Sequence, residues 1–121
     1  MREIFEHQVT PESEGLRIRV VDEPGPGGAN HHYILSHDDR NTTHNSFLDF
    51  QNGPIKEVGV NGVTQEALLA IVIDRLRSFQ AGPFACRDNA VALTKAEESL
   101  MWLQKRTRDR MRRGVEGHNI K

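Results

Sequence analysis

One cysteine, Cys86, one tryptophan and one tyrosine occur in 121 residues. A single thiol excludes an intrachain disulfide, so packing and hydrogen bonds must hold the fold, and a reducing compartment is expected. Long apolar runs are also missing. The longest, Ala67 to Ile73, falls far short of the roughly 20 residues that cross a bilayer. The opening residues, Met1-Arg-Glu-Ile-Phe-Glu-His7, lack the apolar centre of a secretion signal. These absences predict a cytoplasmic protein, neither exported nor membrane-embedded. Catalytic fingerprints are lacking too: there is no Gly-x-Ser-x-Gly elbow, no Cys-His arrangement with a helix-activated thiol, and no acid pair in an expected cleft. Gly25, Gly27 and Gly28 are followed by no strand-loop-helix context and read as turn chemistry rather than a phosphate loop. Neither an enzyme nor a cofactor is expected.

With 36% apolar and 27% charged residues, the composition is that of one compact globular domain. Residues 1–121 are read as a single domain, β-rich over 1–62 and helical over 63–121. The net charge is −1, yet it is unevenly spread. Residues 1–62 carry 5 basic and 10 acidic side chains, while residues 63–121 carry 11 and 7, so positive potential gathers in the second half.

The predicted fold class is α+β: a small N-terminal antiparallel β region followed by a C-terminal antiparallel hairpin of two helices. Residues 1–15 show no sustained periodicity and read as an arm. From Leu16, apolar Leu16, Ile18 and Val20 alternate with Arg17 and Arg19, the period of a half-buried strand. Further strands are predicted at 32–36 and 46–51, with a short one at 55–60 between the turn signals Asn52-Gly53 and Asn61-Gly62. At Val63 the period changes to that of a helix. Thr64 is a suitable N-cap, and the helix should run to Gln80, before Gly82-Pro83. Leu68, Leu69, Ile71, Val72, Ile73, Leu76 and Phe79 cover more than one face of it, which requires burial on two sides and points to self-association. A second helix, from Arg87 or Asp88 to Arg113, should end at Gly114 and pack through Leu93, Ala96, Leu100, Leu103 and Thr107.

Chemistry concentrates at the end of that second helix. Lys105 to Arg113 holds six cations in nine residues, and Trp102, Arg106, Arg110 and Arg113 share one helical face. An arginine ladder with an aromatic at its base suits a ligand bearing phosphate and a base, because guanidinium binds phosphate in a fork and stacks on aromatic planes. The plainer reading is a solvated basic helix end that favours the macrodipole. Asn89, near the start of the same helix, reads either as an amide for a base edge or as a cap. Phe79 reads as a stacking ring or a core side chain. Six histidines, densest at His31, His32 and His37, show no metal-ligand spacing, so no metal site is expected. Cys86 reads as a buried structural thiol, with an activated thiol the alternative.

Two segments carry a resemblance: FQNGPIKEVGVNG over 50–62 and FQAGPFACRDNAVALTKAEESLMWLQKRTRDRMRRGVEG over 79–117. Over roughly residues 46–118 the chain resembles the phage anti-Thoeris sponge family (Thoeris anti-defence, type one), whose helical hairpin is shared with anti-CBASS sponges of cyclic oligonucleotides. The resemblance implies a non-enzymatic homo-oligomer, dimeric and then hexameric. It would capture the cyclic ADP-ribose isomer made by TIR-domain enzymes, and cyclic oligonucleotides at separate sites. Carried over, Phe79 would stack on the adenine, Asn89 would hydrogen-bond it, and Arg106 and Arg110 would hold ribose and phosphates. Arg19 and Lys56 are the candidates from the β region, and Arg113 extends the arginine face. The alternative reading is a nucleic-acid-binding protein that uses the basic helix end.

Overall fold

The computed structural model describes residues 1–114; His118 and the end of the resemblance lie outside them. The chain forms two compact units, the first over Met1–Gly62 and the second beginning at Val63.

In the first unit, β1 (Arg2–Ile4), β2 (Leu16–Val20), β3 (His32–Asp38) and β4 (Thr43–Asp49) form an antiparallel sheet in chain order. The residues expected to be an arm thus contain an edge strand and a 3-10 turn at Pro11–Gly15 that touches β3. Three residues are too few to show a period, which is why β1 escapes a pattern search.

The alternation that marks β2 sorts the two faces of the sheet. Ile4, Ile18 and Leu35 share one, with Val20, Tyr33 and Leu48 beside them. Val20 is buried there, and Tyr33 meets Phe50 edge to face at 5.5 Å. The other face carries Arg17, Arg19, Ile34, Ser36, Asn45 and Phe47. Ser36 is only 1% exposed, but its Oγ donates to Asn45 Oδ1 at 2.6 Å, so the buried hydroxyl is satisfied.

Carboxylates tie the sheet's connections. Asp38 pairs with Arg17 at 3.0 Å and accepts from Thr43 Oγ1 at 2.8 Å. These bonds to Arg17 and Thr43 hold the carboxyl below its usual range. They also extend β3 to Asp38 and start β4 at Thr43, shortening the expected turn and shifting the third strand from the predicted 46–51. Asp22 is held low as well: desolvation works against it, but the backbone N–H groups of His31 and His32 donate to its two oxygens at 2.9 and 3.2 Å.

The strand expected at 55–60 is instead one turn of helix, α1 (Ile55–Val58). Pro54 opens it, its carbonyl accepting from the N–H groups of Glu57 and Val58, and Gly59 at φ +78° closes it. Two amide side chains substitute for a strand ladder. Asn61 bonds both the N–H and the C=O of Asn52 at 2.7 Å, and Gln51 reaches Gly59 O at 2.8 Å and Asn61 N at 3.0 Å. The two ends of the segment approach so closely that a Cβ on Gly62 would sit 2.5 Å from the Phe50 carbonyl carbon.

The second unit is a helical hairpin of α2 (Gln65–Gln80) and α3 (Arg87–Arg112). Thr64 caps α2, its Oγ1 accepting from Ala67 N at 3.2 Å. Gly114, at φ +72°, follows the capping residue Arg113 at the end of α3. Leu69, Ile73 and Leu76 turn inward from α2, with Ile73 buried, and Leu93, Ala96, Leu100, Leu103 and Thr107 are the half-covered stripe of α3. That stripe advances in steps of three and four, the seam of a coiled-coil pair. Arg77 and Glu97 bridge the helices at 2.7 Å. The opposite side of α2 is open, with Ile71 64% and Val72 48% exposed. Helix α3, about 39 Å long against about 24 Å for α2, runs its last turns past its partner.

Candidate functional site

Steps of four along the end of α3 bring Trp102, Arg106 and Arg110 onto one side, and with Lys105, Asp109 and Arg113 they line a cleft of about 290 Å³. The cations there are not equivalent. Lys105 Nζ lies 2.7 Å from Asp109 Oδ2, and Arg112 reaches the other oxygen of Asp109 at 3.3 Å. Lys105 first, and then the positive charges around it, keep the Asp109 carboxyl below its usual range. Arg106 is exposed and has no ion pair among the described residues. Arg110 is only 8% exposed, and Arg113 caps the helix. The six-cation run is therefore divided: Lys105 and Arg112 are engaged by one carboxylate, Arg106 and Arg108 are exposed, Arg110 is buried, and Arg113 caps the helix.

Phe79 and Asn89 stand at the other end of the hairpin, on either side of the 81–86 connection. Phe79 is 36% exposed, and the Arg75 guanidinium carbon sits 5.1 Å from its ring centroid. Asn89 lies inside the first turn of α3 and is not the cap; Cys86 is, its Sγ accepting from Asn89 N at 3.4 Å. The Asn89 side-chain amide makes no hydrogen bond among the described residues. Cys86 is exposed, contrary to the expectation of a buried thiol, because the N-cap position turns its sulfur toward the first helical N–H groups rather than into the seam. Its own N–H donates to Gln80 Oε1 at 3.1 Å, closing the connection.

Of the four principal candidates, the fold brings together Arg106 and Arg110 in one cleft, while Phe79 and Asn89 stand on the two helices at the connection end. The two pairs stay apart: seventeen residues of one helix separate Asn89 from Arg106, about 26 Å. Arg19 and Lys56 belong to the first unit. Arg19 is part-buried on β2, its Nη2 3.4 Å from Ser36 Oγ and its Nε shielded without a partner among the described residues, while Lys56 is exposed on α1. Sequence reasoning passed over Lys105 and Asp109 as lining residues and Arg75 as the neighbour of Phe79. The four-residue interval from Arg75 to Phe79 was the available signal.

The sheet's histidines are engaged with their neighbours. His37 stacks on His44 at 5.0 Å, His44 bonds Asp39, and His32 bonds Asp49 at 2.7 Å. Among the described residues no three of His, Cys, Asp and Glu converge on a metal position, and no helix is long and apolar enough to cross a membrane.

Residues 47–108 match the family model described as "Acb2/Tad1, hairpin domain", over half of the chain. The chain belongs to the Acb2/Tad1 hairpin family. The matched stretch contains Lys56, Phe79, Asn89 and Arg106, while Arg19, Arg110 and Arg113 fall outside it. A curated relative, "Thoeris anti-defense 1" of Bacillus phage SBSphiJ7, is 57% identical over 74 residues, covering 61% of this chain. The alignment spans about half of that relative's length, 52%.

Proposed function

We propose that this chain is a phage anti-defence protein that sequesters a cyclic nucleotide immune signal without cleaving it, the signal being the cyclic ADP-ribose isomer made by TIR enzymes. The observation that carries the reading is the division of the hairpin: a cleft with an open guanidinium at one end of α3, and an exposed ring and an unengaged amide on the two sides of the connection at the other. These are the two chemistries that an adenine-bearing phosphate ester needs. Arg106 and Arg110 would fork onto phosphate and ribose oxygens. Phe79 would stack on the adenine, and Asn89 would pair donor with acceptor on its edge. Capture by a sponge requires only that these contacts close tightly around an intact ligand.

One hairpin holds its two half-sites about 26 Å apart, so a second copy completes the pocket by laying its end beside the other copy's tip. The open Ile71 and Val72 side of α2 is the surface that self-association covers. A dimer is the minimal assembly, and a hexamer could add separate sites for cyclic oligonucleotides. Arg19, Lys56 and Arg113 are further candidates for the pocket wall. The work would be done in the cytoplasm of the infected bacterium.

The test is to mix purified protein with the cyclic ADP-ribose isomer, remove free ligand, heat-denature, and analyse what is released. Intact ligand at near one per protomer, with less retained by Arg106→Ala and by Phe79→Ala, is the expected result. A cleaved product would reveal an enzyme. No retained ligand would overturn the reading and favour the alternative suggested by the cations of 105–113, a nucleic-acid-binding surface, whose affinity would fall steeply with salt.

A further inference from the structure

The sequence gives Arg75 no role, and helix spacing alone would make it one more solvated cation. Its guanidinium carbon nevertheless lies 5.1 Å from the centre of the Phe79 ring, and both residues are on the exposed side of α2. An exposed phenylalanine near a helix end has two χ1 wells open to it and loses rotamer freedom when a base stacks on it. A cation held over one face removes much of that freedom beforehand, since the ring's negative face attracts it. It also occupies one of the two faces, so a flat partner has only the opposite face to use.

We propose that Arg75 is a positioning residue for the ligand site: it clamps the Phe79 ring from one side and leaves the other side as the single stacking face. This rests on the reading of Phe79 as the stacking residue. The Arg–Phe pair then becomes the lower two layers of a three-layer stack whose top layer is the base. Arg75 touches the ring and not the base, so its effect on affinity must pass through Phe79. A cation that merely drew anions toward the hairpin would act independently of that ring.

The experiment is a double-mutant cycle on the intact protein, with the cyclic ADP-ribose isomer as the probe and isothermal titration as the readout. Arg75→Ala should weaken binding about threefold to fivefold, and Arg75→Lys, which keeps a cation, should recover most of that. In a Phe79→Leu background Arg75→Ala should change nothing further. Equal losses in both backgrounds would overturn the proposal and leave Arg75 as a general electrostatic contributor. A second readout needs no ligand. Three-bond couplings to Phe79 Cγ, measured by NMR, should report one χ1 rotamer in the wild type and averaging in Arg75→Ala. Unchanged couplings would overturn the clamp. If the wild type captures no cyclic nucleotide, the functional reading falls on that result, while the couplings still decide whether Arg75 fixes the ring.

Discussion

At the tip of the hairpin, Phe79 offers a ring with the Arg75 guanidinium over it and Asn89 an unengaged amide, whereas the base carries six cations in nine residues around a single carboxylate. Stacking and amide contacts depend little on salt but strongly on ligand shape, while guanidinium-phosphate contacts are screened and tolerate any phosphate of suitable geometry. Under the proposed function the comparison amounts to a division of labour: the base of the hairpin would supply attraction, and its tip would supply discrimination. Asn89 and Arg106 lie seventeen residues apart on the one helix α3, so neither can move toward the other within a protomer.

Substitutions that remove one end at a time would break or sharpen this contrast. The largest effect is expected from Arg106→Gln. Losing charge-assisted hydrogen bonds worth about 1.5–3 kcal/mol should weaken capture of the cyclic ADP-ribose isomer by roughly 10- to 100-fold, and titrations at low and high salt should show a shallower salt dependence. Phe79→Ala should follow at roughly tenfold with an unaltered salt dependence. If both variants changed the salt dependence equally, the division of labour would be wrong. Thr64→Ala, which removes the cap of α2, should cost the hairpin about 1 kcal/mol in thermal melting while the ligand recovered per folded protomer stays constant.

The smallest effect is expected from Asp109→Asn. It releases Lys105 and Arg112 from their partner and should tighten binding a few-fold at low salt. The wild type should approach the same behaviour only in acid. The Asp109 carboxyl lies below its ordinary range, so its charge and its ion pairs persist above that range and are lost as the pH falls through the depressed value. A flat binding profile from neutral pH down to about 5, an interval that stays above the ordinary aspartate value of about 3.9, is the corresponding expectation.

The helices were legible from the sequence almost to the residue because their signals are local and redundant: Thr64 before an apolar period, Gly82-Pro83 after it, and Gly114 at the far end. Strand β2 was legible because five residues alternate without interruption. What could not be read rests on contacts that have no period. Strand β1 exists because Arg2, Glu3 and Ile4 find Val20, Arg19 and Ile18, which no window of three residues announces. The segment after Pro54 has strand-like composition, but the side chains of Gln51 and Asn61 supply the hydrogen bonds a neighbouring strand would have given, and the backbone curls instead. At the site, the arginine face of α3 followed from helical spacing. The pairing of Asp109 with Lys105 and the approach of Arg75 to Phe79 required side-chain geometry. Cys86 was misjudged because a lone cysteine near a helix start satisfies a burial prior and a capping role equally well, and only the backbone conformation before Arg87 separates them.

The acid among the arginines also bears on what can rest against the helix end. An unbroken row of cations would serve as a rail, along which a long polyanion could slide with every register nearly equal in energy. Asp109 interrupts the row with a negative charge and withdraws two of the neighbouring cations from use. Under the proposed function, a row broken in this way would favour a compact anion seated at the cleft over an extended one that needs an unbroken run of cations.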